Sequence, residues 1–194
     1  MEKIRGYYEY YKNAPSDINE HLPTLLKYAE ECEHITEMGV RTCNSSWALL
    51  YSNPKKMISY DKVQNESINT LINIANEYLM NFEFKLNDVL TIEIEKTDLL
   101  FIDTWHTYNQ LSLELELHSK NVNKYIILHD TVTYGLIDEQ LYDNSSVIVR
   151  NKPKTKEGLM NAINDFLTSE NGSTWEIFEE YKNNNGLLIL KRKK

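Results

Sequence analysis

Two strand-like runs in this sequence each lead into an aspartate with a histidine close by. The apolar run 98–102 is followed by Asp103, and His106 comes three residues later. Downstream, the run 125–128 is followed by His129 and Asp130. Open α/β sheets bind ligands at the carboxyl ends of their strands, so these side chains predict one site at one edge of a sheet. Carboxylates and imidazoles can hold a cation or move a proton.

Each of these residues also has a purely structural interpretation. Asp103 could cap the helix that follows it, because Asp is a preferred capping residue. A histidine such as His129 inside an apolar strand is often a packed residue, and His106 could lie on the surface after a strand. The aromatic Trp105 could be a core or lid residue.

The hydrophobic periodicity alternates between strand and helix along the chain. It predicts helices at 16–29, 45–51, 68–79, 111–117 and 158–167. Strands are predicted at 34–38, 57–61, 82–86, 98–103, 125–128, 174–181 and 186–192. This order predicts an α/β fold with a largely parallel sheet and helices on both faces. The last two strands, joined by a turn at 183–185, predict an antiparallel edge.

The composition of the chain predicts a single domain that spans 1–194, with an aromatic segment at 1–15. The 194 residues are 41% hydrophobic and 26% charged, which is ordinary for a globular chain that buries its own core. Cys32 and Cys43 are too few for a disulfide framework, so we expect reduced thiols and a cytoplasmic location. No apolar run approaches the ~18 residues that a membrane span needs, so we expect no membrane partner.

The net charge of −8 disfavours binding to a phosphate backbone. The only dense basic run is 191–194, and it more simply keeps a last strand soluble. We therefore expect no nucleic-acid partner. No spacing in the sequence defines an oligomeric state.

The turns after the first three predicted strands suggest the kind of ligand. Glu37-x-Gly39 lacks the three glycines of the dinucleotide-binding fingerprint, so a pyrophosphate site is poorly supported. Asp61 ends the second strand, where an acid can bind a ribose diol or cap a helix. Asp88, after the third strand, could reach an adenine edge or form a plain turn.

Together these motifs resemble the class I S-adenosylmethionine-dependent methyltransferases. The narrower resemblance is to methyltransferase type 24 and its cephalosporin-hydroxylase-like relatives. It covers most of the chain, beginning near Ser16 and running through Glu37-x-Gly39 and Ile-Asp-x-x-His-x-Tyr to the His-Asp-Thr motif that ends at Thr131. The resemblance implies a Rossmann-like fold whose seven-stranded, mostly parallel sheet has an antiparallel C-terminal strand.

The resemblance also assigns roles around a cofactor. Glu37 and Gly39 would lie along the methionine moiety, Asp61 would hold the ribose hydroxyls, and Asp88 would lie near adenine. Relatives usually carry a second glycine where this sequence has Cys43. The added side chain predicts crowding beside the cofactor and weaker binding.

The residues at the ends of the fourth and fifth predicted strands resemble those of the metal-dependent O-methyltransferases. By that likeness Asp103 and Asp130 would be ligands of Mg²⁺, with Thr131 as a third, weaker oxygen ligand. His106 matches the position of the catalytic lysine in the catechol-type enzymes. A neutral imidazole there could accept the acceptor's proton near pH 7.

These assignments predict methyl transfer from S-adenosylmethionine to a hydroxyl of a small-molecule or glycan acceptor, such as a sugar. The four tyrosines within 7–11 could cover a sugar face or form a packed helix stripe. One alternative is a non-catalytic cofactor-binding or scaffold member of the same fold, with Cys43 marking lost affinity. Another is a metal-dependent hydrolase, which would leave Glu37, Gly39 and Asp61 without a role.

Overall fold

A computed structural model describes residues 1–140 and 145–194, whose strands form one seven-stranded sheet. The strands are β1 His34–Met38, β2 Lys56–Asp61, β3 Phe82–Leu86, β4 Thr97–Ile102, β5 Val122–His129, β6 Trp175–Tyr181 and β7 Leu187–Arg192. Their order across the sheet is β3-β2-β1-β4-β5-β7-β6. The first five are mutually parallel, and β7 is antiparallel to both of its neighbours. The predicted fold class is confirmed.

The register of the central strands aligns their carboxyl ends. Met38 of β1 pairs with Ile102 of β4, and Ile102 pairs with Leu128 of β5. The residues that follow these three positions therefore emerge side by side. This alignment brings Gly39, Asp103 and the end of β5 to one edge of the sheet.

The last two strands form the predicted antiparallel hairpin at one edge of the sheet. β7 lies between β5 and β6, so β6 is the edge strand and β7 is interior. Burial explains this placement, because Leu187, Leu188, Ile189 and Leu190 are all fully buried. Such a continuous apolar run requires cover on both faces of the sheet.

Helices cover both faces of the sheet. They are α1 Glu2–Asn13, α2 Leu22–Ala29, α3 Asn44–Tyr51, α4 Glu66–Glu77, α5 Tyr108–His118, α6 Val147–Arg150 and α7 Leu159–Thr168. Buried residues of α1 to α4 form one core cluster, and those of α5 and α7 form a second cluster. Among the described residues, no helix has the length and apolar character needed to cross a membrane.

The aromatic N-terminal segment is a helix that packs on α3. Tyr7 stacks on Trp47 with ring centroids 4.2 Å apart, and Tyr8 stacks on Tyr51 at 5.1 Å. Tyr7, Tyr8 and Tyr11 thus form a packed helix stripe, whereas Tyr10 is 65% exposed. None of them is among the described residues that line the cavity at the strand ends, so the structure gives no support to a sugar-binding face there. The aromatic spacing supplies the apolar contact that holds α1 on the domain.

The helix predicted from residue 16 begins later than expected. A 3₁₀ turn, Asn19–His21, precedes α2, which starts at Leu22 with Pro23 in its first turn. The Ser16 hydroxyl accepts a hydrogen bond from the Asn19 amide (3.0 Å), which makes a local turn at this point. Proline lacks a backbone donor and suits a helix start, which explains the later beginning.

Candidate functional site

A cavity of about 690 Å³ opens at the carboxyl ends of the parallel strands. Its volume lies in the range of small-molecule and cofactor sites. The loops after β1, β2, β3, β4 and β5 all contribute to its lining. Six of the eight predicted site residues line it, namely Gly39, Asp61, Asp88, Asp103, His106 and Asp130.

Gly39 permits a close approach between the turn after β1 and the end of β4. Its φ angle is +84°, and a Cβ atom built there would lie 1.9 Å from the Asp103 carbonyl oxygen. Residues other than glycine rarely adopt this positive φ, and their Cβ atom would clash with the Asp103 carbonyl. Gly39 therefore lets the backbone form a narrow wall of the cavity next to Asp103.

Asp61 faces the same turn from the end of β2. Its Oδ2 accepts hydrogen bonds from the amides of Val40 (2.8 Å) and Arg41 (3.0 Å), and its Oδ1 accepts one from Val63 (2.9 Å). Helix α4 is capped instead by Asn65, so the capping interpretation of Asp61 is wrong. The carboxylate holds the first turn in place while it lines the cavity.

Asp88 combines its two predicted interpretations. Its Oδ1 accepts a hydrogen bond from the Leu90 amide (3.1 Å), which starts a 3₁₀ turn. Lys62 lies 3.5 Å from its Oδ2. The residue is thus a turn cap that also lines the cavity.

Glu37 is the predicted cofactor residue that faces away from the cavity. Its side chain is fully buried and accepts hydrogen bonds from the hydroxyls of Ser45 (2.7 Å), Ser46 (2.8 Å) and Ser59 (2.6 Å). Burial raises the pKa of Glu37 to about 7 against the opposing effect of the three serines. The described residues lining the cavity do not include Glu37. In this structure it joins α3 to β1 and β2.

Four side chains converge where β4 and β5 end. His106 Nε2 lies 3.1 Å from Asp103 Oδ1 and 3.0 Å from Asp130 Oδ2. His129 Nδ1 lies 3.3 Å and 3.2 Å from the same two oxygens. Two carboxylate oxygens and two imidazole nitrogens thus face one another across a few ångströms.

Glu139 completes this cluster from the loop after β5. Its Oε2 lies 3.0 Å from His106 Nδ1 and also accepts a hydrogen bond from the His106 amide (3.2 Å). Tyr134 stacks parallel to the imidazole, with ring centroids 5.1 Å apart. The ring of His106 is therefore held on several sides, with Nε2 directed at the two aspartates.

Nearly the whole chain superposes on solved methyltransferase structures. The methyltransferase PaMTH1 of Podospora anserina, solved with S-adenosylhomocysteine bound, matches 98% of this chain and 88% of its own, with a TM-score of 0.61 and 13% identity. The N-methyltransferase NodS of Bradyrhizobium japonicum, also solved with S-adenosylhomocysteine, matches 94% and 90%, with a TM-score of 0.60 and 10% identity. A candidate caffeoyl-CoA O-methyltransferase of Staphylococcus aureus matches 98% and 91%, with a TM-score of 0.62 and 13% identity.

The chain has the class I methyltransferase fold. Sequence comparison adds no narrower family, because no protein-family model matches and a search of curated proteins gave no significant match. At these identities the solved structures define the fold alone. Neither the activity nor the narrower resemblance to type 24 methyltransferases follows from them.

The sulfur of Cys43 does not lie where it would crowd a cofactor. Cys43 has a positive φ of 68° at the start of α3, a conformation that favours glycine. Its side chain is fully buried in the core cluster beneath the turn. Burial also raises the pKa of the thiol, so it stays neutral. The sulfur packs into the core, and the expected crowding of a cofactor is not supported.

The charges of the cluster favour imidazolium–carboxylate pairs. Burial alone lowers the pKa of His106, but the contacts with Asp103, Glu139 and Asp130 raise it well above its ordinary value. The pKa of His129 is raised in the same way by Asp103 and Asp130, again against burial. Burial opposes ionisation of Asp103, yet the two histidines hold its pKa below the usual range. The expectation of a neutral His106 near pH 7 is therefore corrected for this arrangement.

The cluster also offers ligand atoms for a cation. Asp103, His129 and Asp130 each present one ligand atom, and the three atoms lie within 4.8 Å of one another. Asp130 Oδ1 and Thr131 Oγ1 are buried without a hydrogen-bond partner in the described part of the chain. The predicted pair Asp103 and Asp130 is thus brought together. His129 joins it, whereas the position of Thr131 as a ligand stays a prediction.

Sequence reasoning missed Glu139. It lies in a loop with no helical or strand periodicity, 33 residues from His106. The available signal is the acidic pair Asp138 and Glu139 after the His-Asp-Thr strand end. Asp138 pins this loop by accepting hydrogen bonds from the amides of Tyr108 and Gly158, both at 2.8 Å.

Proposed function

We propose that this protein transfers a methyl group from S-adenosylmethionine to a hydroxyl group of a small polar acceptor such as a sugar. Two sets of residues line the same cavity, and this observation supports the proposal most directly. Gly39, Asp61 and Asp88 lie at the ends of β1 to β3, and the Asp103–His106 pair lies beyond β4. The methyltransferase fold supports the first set as the cofactor end.

At the cofactor end, the proposal assigns binding to carboxylates held by backbone amides. Three amide donors fix Asp61 and leave one acceptor position, on Oδ1, for a ribose hydroxyl. A charge-assisted hydrogen bond from a hydroxyl to a carboxylate is stronger than one between neutral groups. Asp88 is similarly held and can accept a hydrogen bond from the amino group of an adenine.

At the acceptor end, Asp103, Asp130 and His106 would orient the hydroxyl and hold its proton. An acceptor hydroxyl that donates to Asp103 or Asp130 competes with His106 for the same oxygens. Loss of those contacts lowers the pKa of His106, so that Nε2 releases its proton to solvent and the neutral ring can then accept the proton of the acceptor hydroxyl. Glu139 keeps Nδ1 occupied, so proton exchange is confined to Nε2. Alignment of the hydroxyl with the methyl carbon supplies the rest of the rate increase.

We extend the proposal to a divalent cation held by Asp103, His129 and Asp130, which would replace the proton on His129 Nδ1. The close ligand atoms and the unpartnered Asp130 Oδ1 fit such a group. A cation there would lower the pKa of a bound hydroxyl. Oxygen ligands suit Mg²⁺, whereas the imidazole of His129 favours a first-row transition metal, so both classes belong in the test.

Calorimetry and turnover together test the proposed function. We expect S-adenosylhomocysteine to bind the protein, and we expect methyl transfer to a member of a panel of sugars and small hydroxylated metabolites. Asp103→Asn should retain cofactor binding and lose turnover. Absence of binding would overturn the proposal. Binding without turnover on any acceptor would support the non-catalytic alternative.

A further inference from the structure

His129 is held by backbone carbonyls on the side opposite the two aspartates. Its Nε2 lies 3.1 Å from the Asp17 carbonyl oxygen and 3.3 Å from the Asn184 carbonyl oxygen. Carbonyl oxygens only accept hydrogen bonds, so Nε2 must carry a proton and donate it to them. The other nitrogen, Nδ1, then faces Asp103 and Asp130. The two carbonyls therefore determine which ring atom is directed at the aspartates.

The side chain of Asn184 fixes these two carbonyls relative to each other. Its Nδ2 donates a hydrogen bond to the Ser16 carbonyl (2.7 Å), and its Oδ1 accepts one from the Glu20 amide (3.0 Å). Asp17 lies between these two anchor points in the chain. The amide of one side chain therefore ties the segment 16–20, and with it the Asp17 carbonyl, to the turn between β6 and β7.

The backbone of this turn favours an asparagine at position 184. Asn184 has a positive φ of 46°, and Asn185 and Gly186 follow with φ angles of 70° and 94°. Asparagine and glycine adopt this left-handed region more readily than other residues. The Asn185 carbonyl accepts hydrogen bonds from the amides of Val132 (2.9 Å) and Thr133 (3.1 Å). The turn is therefore anchored to the loop that follows β5 as well as to the N-terminal segment.

His21 adds a further contact to the ring of His129. The two imidazoles pack edge to face, with centroids 5.9 Å apart, and both side chains are buried. His21 Nε2 in turn lies 2.9 Å from the Asn183 carbonyl oxygen, so the same turn also holds this second ring. The carbonyls, the turn and His21 leave the ring of His129 little freedom to rotate.

We propose that Asn184 is a positioning residue for His129. Its side chain holds two carbonyls against Nε2, so that Nδ1 is directed at the two aspartates of the acceptor end. This inference rests on the proposed function, because those aspartates are the ones that would orient the acceptor hydroxyl. In the cation-free protein the ring donates to both carboxylates, and with a cation bound the same orientation presents Nδ1 as a ligand. Groups that hold the outer nitrogen of a ligating imidazole change metal affinity by about 10- to 100-fold.

Proton exchange at the ring and Mn²⁺ binding test the inference. Asn184→Gly removes both side-chain hydrogen bonds and keeps a residue that tolerates the positive φ. In protein labelled with ¹⁵N at histidine, the Nε2 proton of His129 should exchange with solvent about 10-fold faster or more in this variant, because exchange requires the held ring to open. The signal is assigned by its absence from His129→Gln. Mn²⁺ affinity, measured by calorimetry, should fall by about 10- to 100-fold.

Asn183→Gly is the matched control, because it makes the same replacement in the same turn. The Asn183 side chain bonds the Glu20 carboxylate, and both residues are exposed. This variant should keep the native exchange rate and the native Mn²⁺ affinity. Asn184→Asp keeps an acceptor for the Glu20 amide, so it should have an intermediate effect.

Thermal unfolding shows whether each variant is folded at the assay temperature. Native proton exchange at His129 in folded Asn184→Gly would overturn the inference and leave the proposed function standing. Failure of the native protein to bind S-adenosylhomocysteine would overturn the proposed function, while the ring signal still decides the role of Asn184. Failure of the native protein to bind Mn²⁺ would overturn the cation, and the ring signal again decides.

Discussion

Glu139 contacts His106 through both the backbone and the ring. Besides its two contacts through Oε2, the Glu139 amide donates a hydrogen bond to the His106 carbonyl (2.9 Å). The loop after β5 is thereby fastened to the loop after β4. As a result, the ring can rotate little, and Nε2 keeps its direction towards Asp103 and Asp130.

This contact predicts that Glu139 positions the base. Glu139→Ala should lower methyl transfer by about 10- to 100-fold, because small losses of alignment have effects of that size. Cofactor affinity should not change, and Glu139→Gln should retain part of the activity. The measurement is turnover at saturating cofactor. The control is Glu157→Gln, an exposed acid that pairs with Lys154. Equal activity of Glu139→Ala and the native protein would contradict the positioning role.

Asp61 should contribute strongly to cofactor binding. Asp61→Ala removes a charge-assisted contact to the ribose, so S-adenosylhomocysteine binding should weaken by roughly 2 to 3 kcal/mol. The variant also leaves the Val40 and Arg41 amides unpaired, and calorimetry should accompany a measurement of thermal stability. Asp98→Asn is a suitable control, because Asp98 accepts from the Glu33 amide (2.9 Å) at the amino end of β1. Unchanged affinity in Asp61→Ala would remove this residue from the site.

The acceptor end should be separable from the cofactor end. Asp103→Asn and Asp130→Asn should each abolish methyl transfer while cofactor affinity stays nearly constant. His106→Ala should reduce turnover by about 10²- to 10⁴-fold, the usual effect of losing a general base. Turnover after exhaustive chelation, and after addition of Mg²⁺ or Mn²⁺, tests the cation. Full activity without metal would falsify the cation role and leave His106 with its carboxylates as the proton acceptor.

Cys43 and Gly39 should respond differently to substitution. Cys43→Gly relieves a positive φ but removes a buried sulfur, so we expect a small change in stability and unchanged affinity for S-adenosylhomocysteine. Gly39→Ala should destabilise the fold by about 3 kcal/mol or more, because its Cβ meets the Asp103 carbonyl. Thermal unfolding and calorimetry measure both effects. A large loss of affinity in Cys43→Gly would show that the sulfur supports the cofactor turn.

Glu37 should make the stability of the protein depend on pH. Burial raises its pKa from an ordinary 4.5 to about 7, so the folded state keeps this proton to higher pH than the unfolded chain. The effect of Glu37 on stability is therefore most favourable below pH 4.5. It declines as the pH rises from 4.5 towards 7, because the unfolded chain then releases a proton that the folded state keeps. The decline is at most about 3 kcal/mol.

Comparison with Glu37→Gln isolates this effect. The unfolding free energy of Glu37→Gln, relative to that of the native protein, should increase from pH 5 to pH 8. Urea unfolding at both values is the measurement, with the exposed Glu83→Gln as the control. Parallel pH profiles for Glu37→Gln and the native protein would rule out a raised pKa.

Local sequence pattern was sufficient for most of the elements. The bounds of β1 and β3 agree with those predicted, and β2, α3 and β4 differ by one residue at one or both ends. These elements have clear periodicity, and each forms where its apolar side chains meet the core. The α1 helix was one of two alternatives, because the spacing of its tyrosines fits either a ligand-covering surface or a packed helix stripe.

The site residues divide into those whose positions the sequence predicted and those whose positions it did not. Asp103 and Asp130 could be predicted to converge because each follows a buried strand of a parallel sheet. The inward direction of Glu37 could not, since it depends on three serines, one of them on a different strand. The assignment of Glu139 to His106 likewise depends on a long loop returning to the sheet edge.

The sequence by itself determined the alternation of strands and helices and the polar residues at the strand ends. Both follow from local periodicity, because each segment must turn its apolar face towards a core. Only the tertiary structure decided that β7 lies inside the sheet, that Cys43 points into the core, and that Glu139 joins His106. Those outcomes depend on register and packing between distant segments. Such contacts are selected by the whole chain at once, and no short window of sequence encodes them.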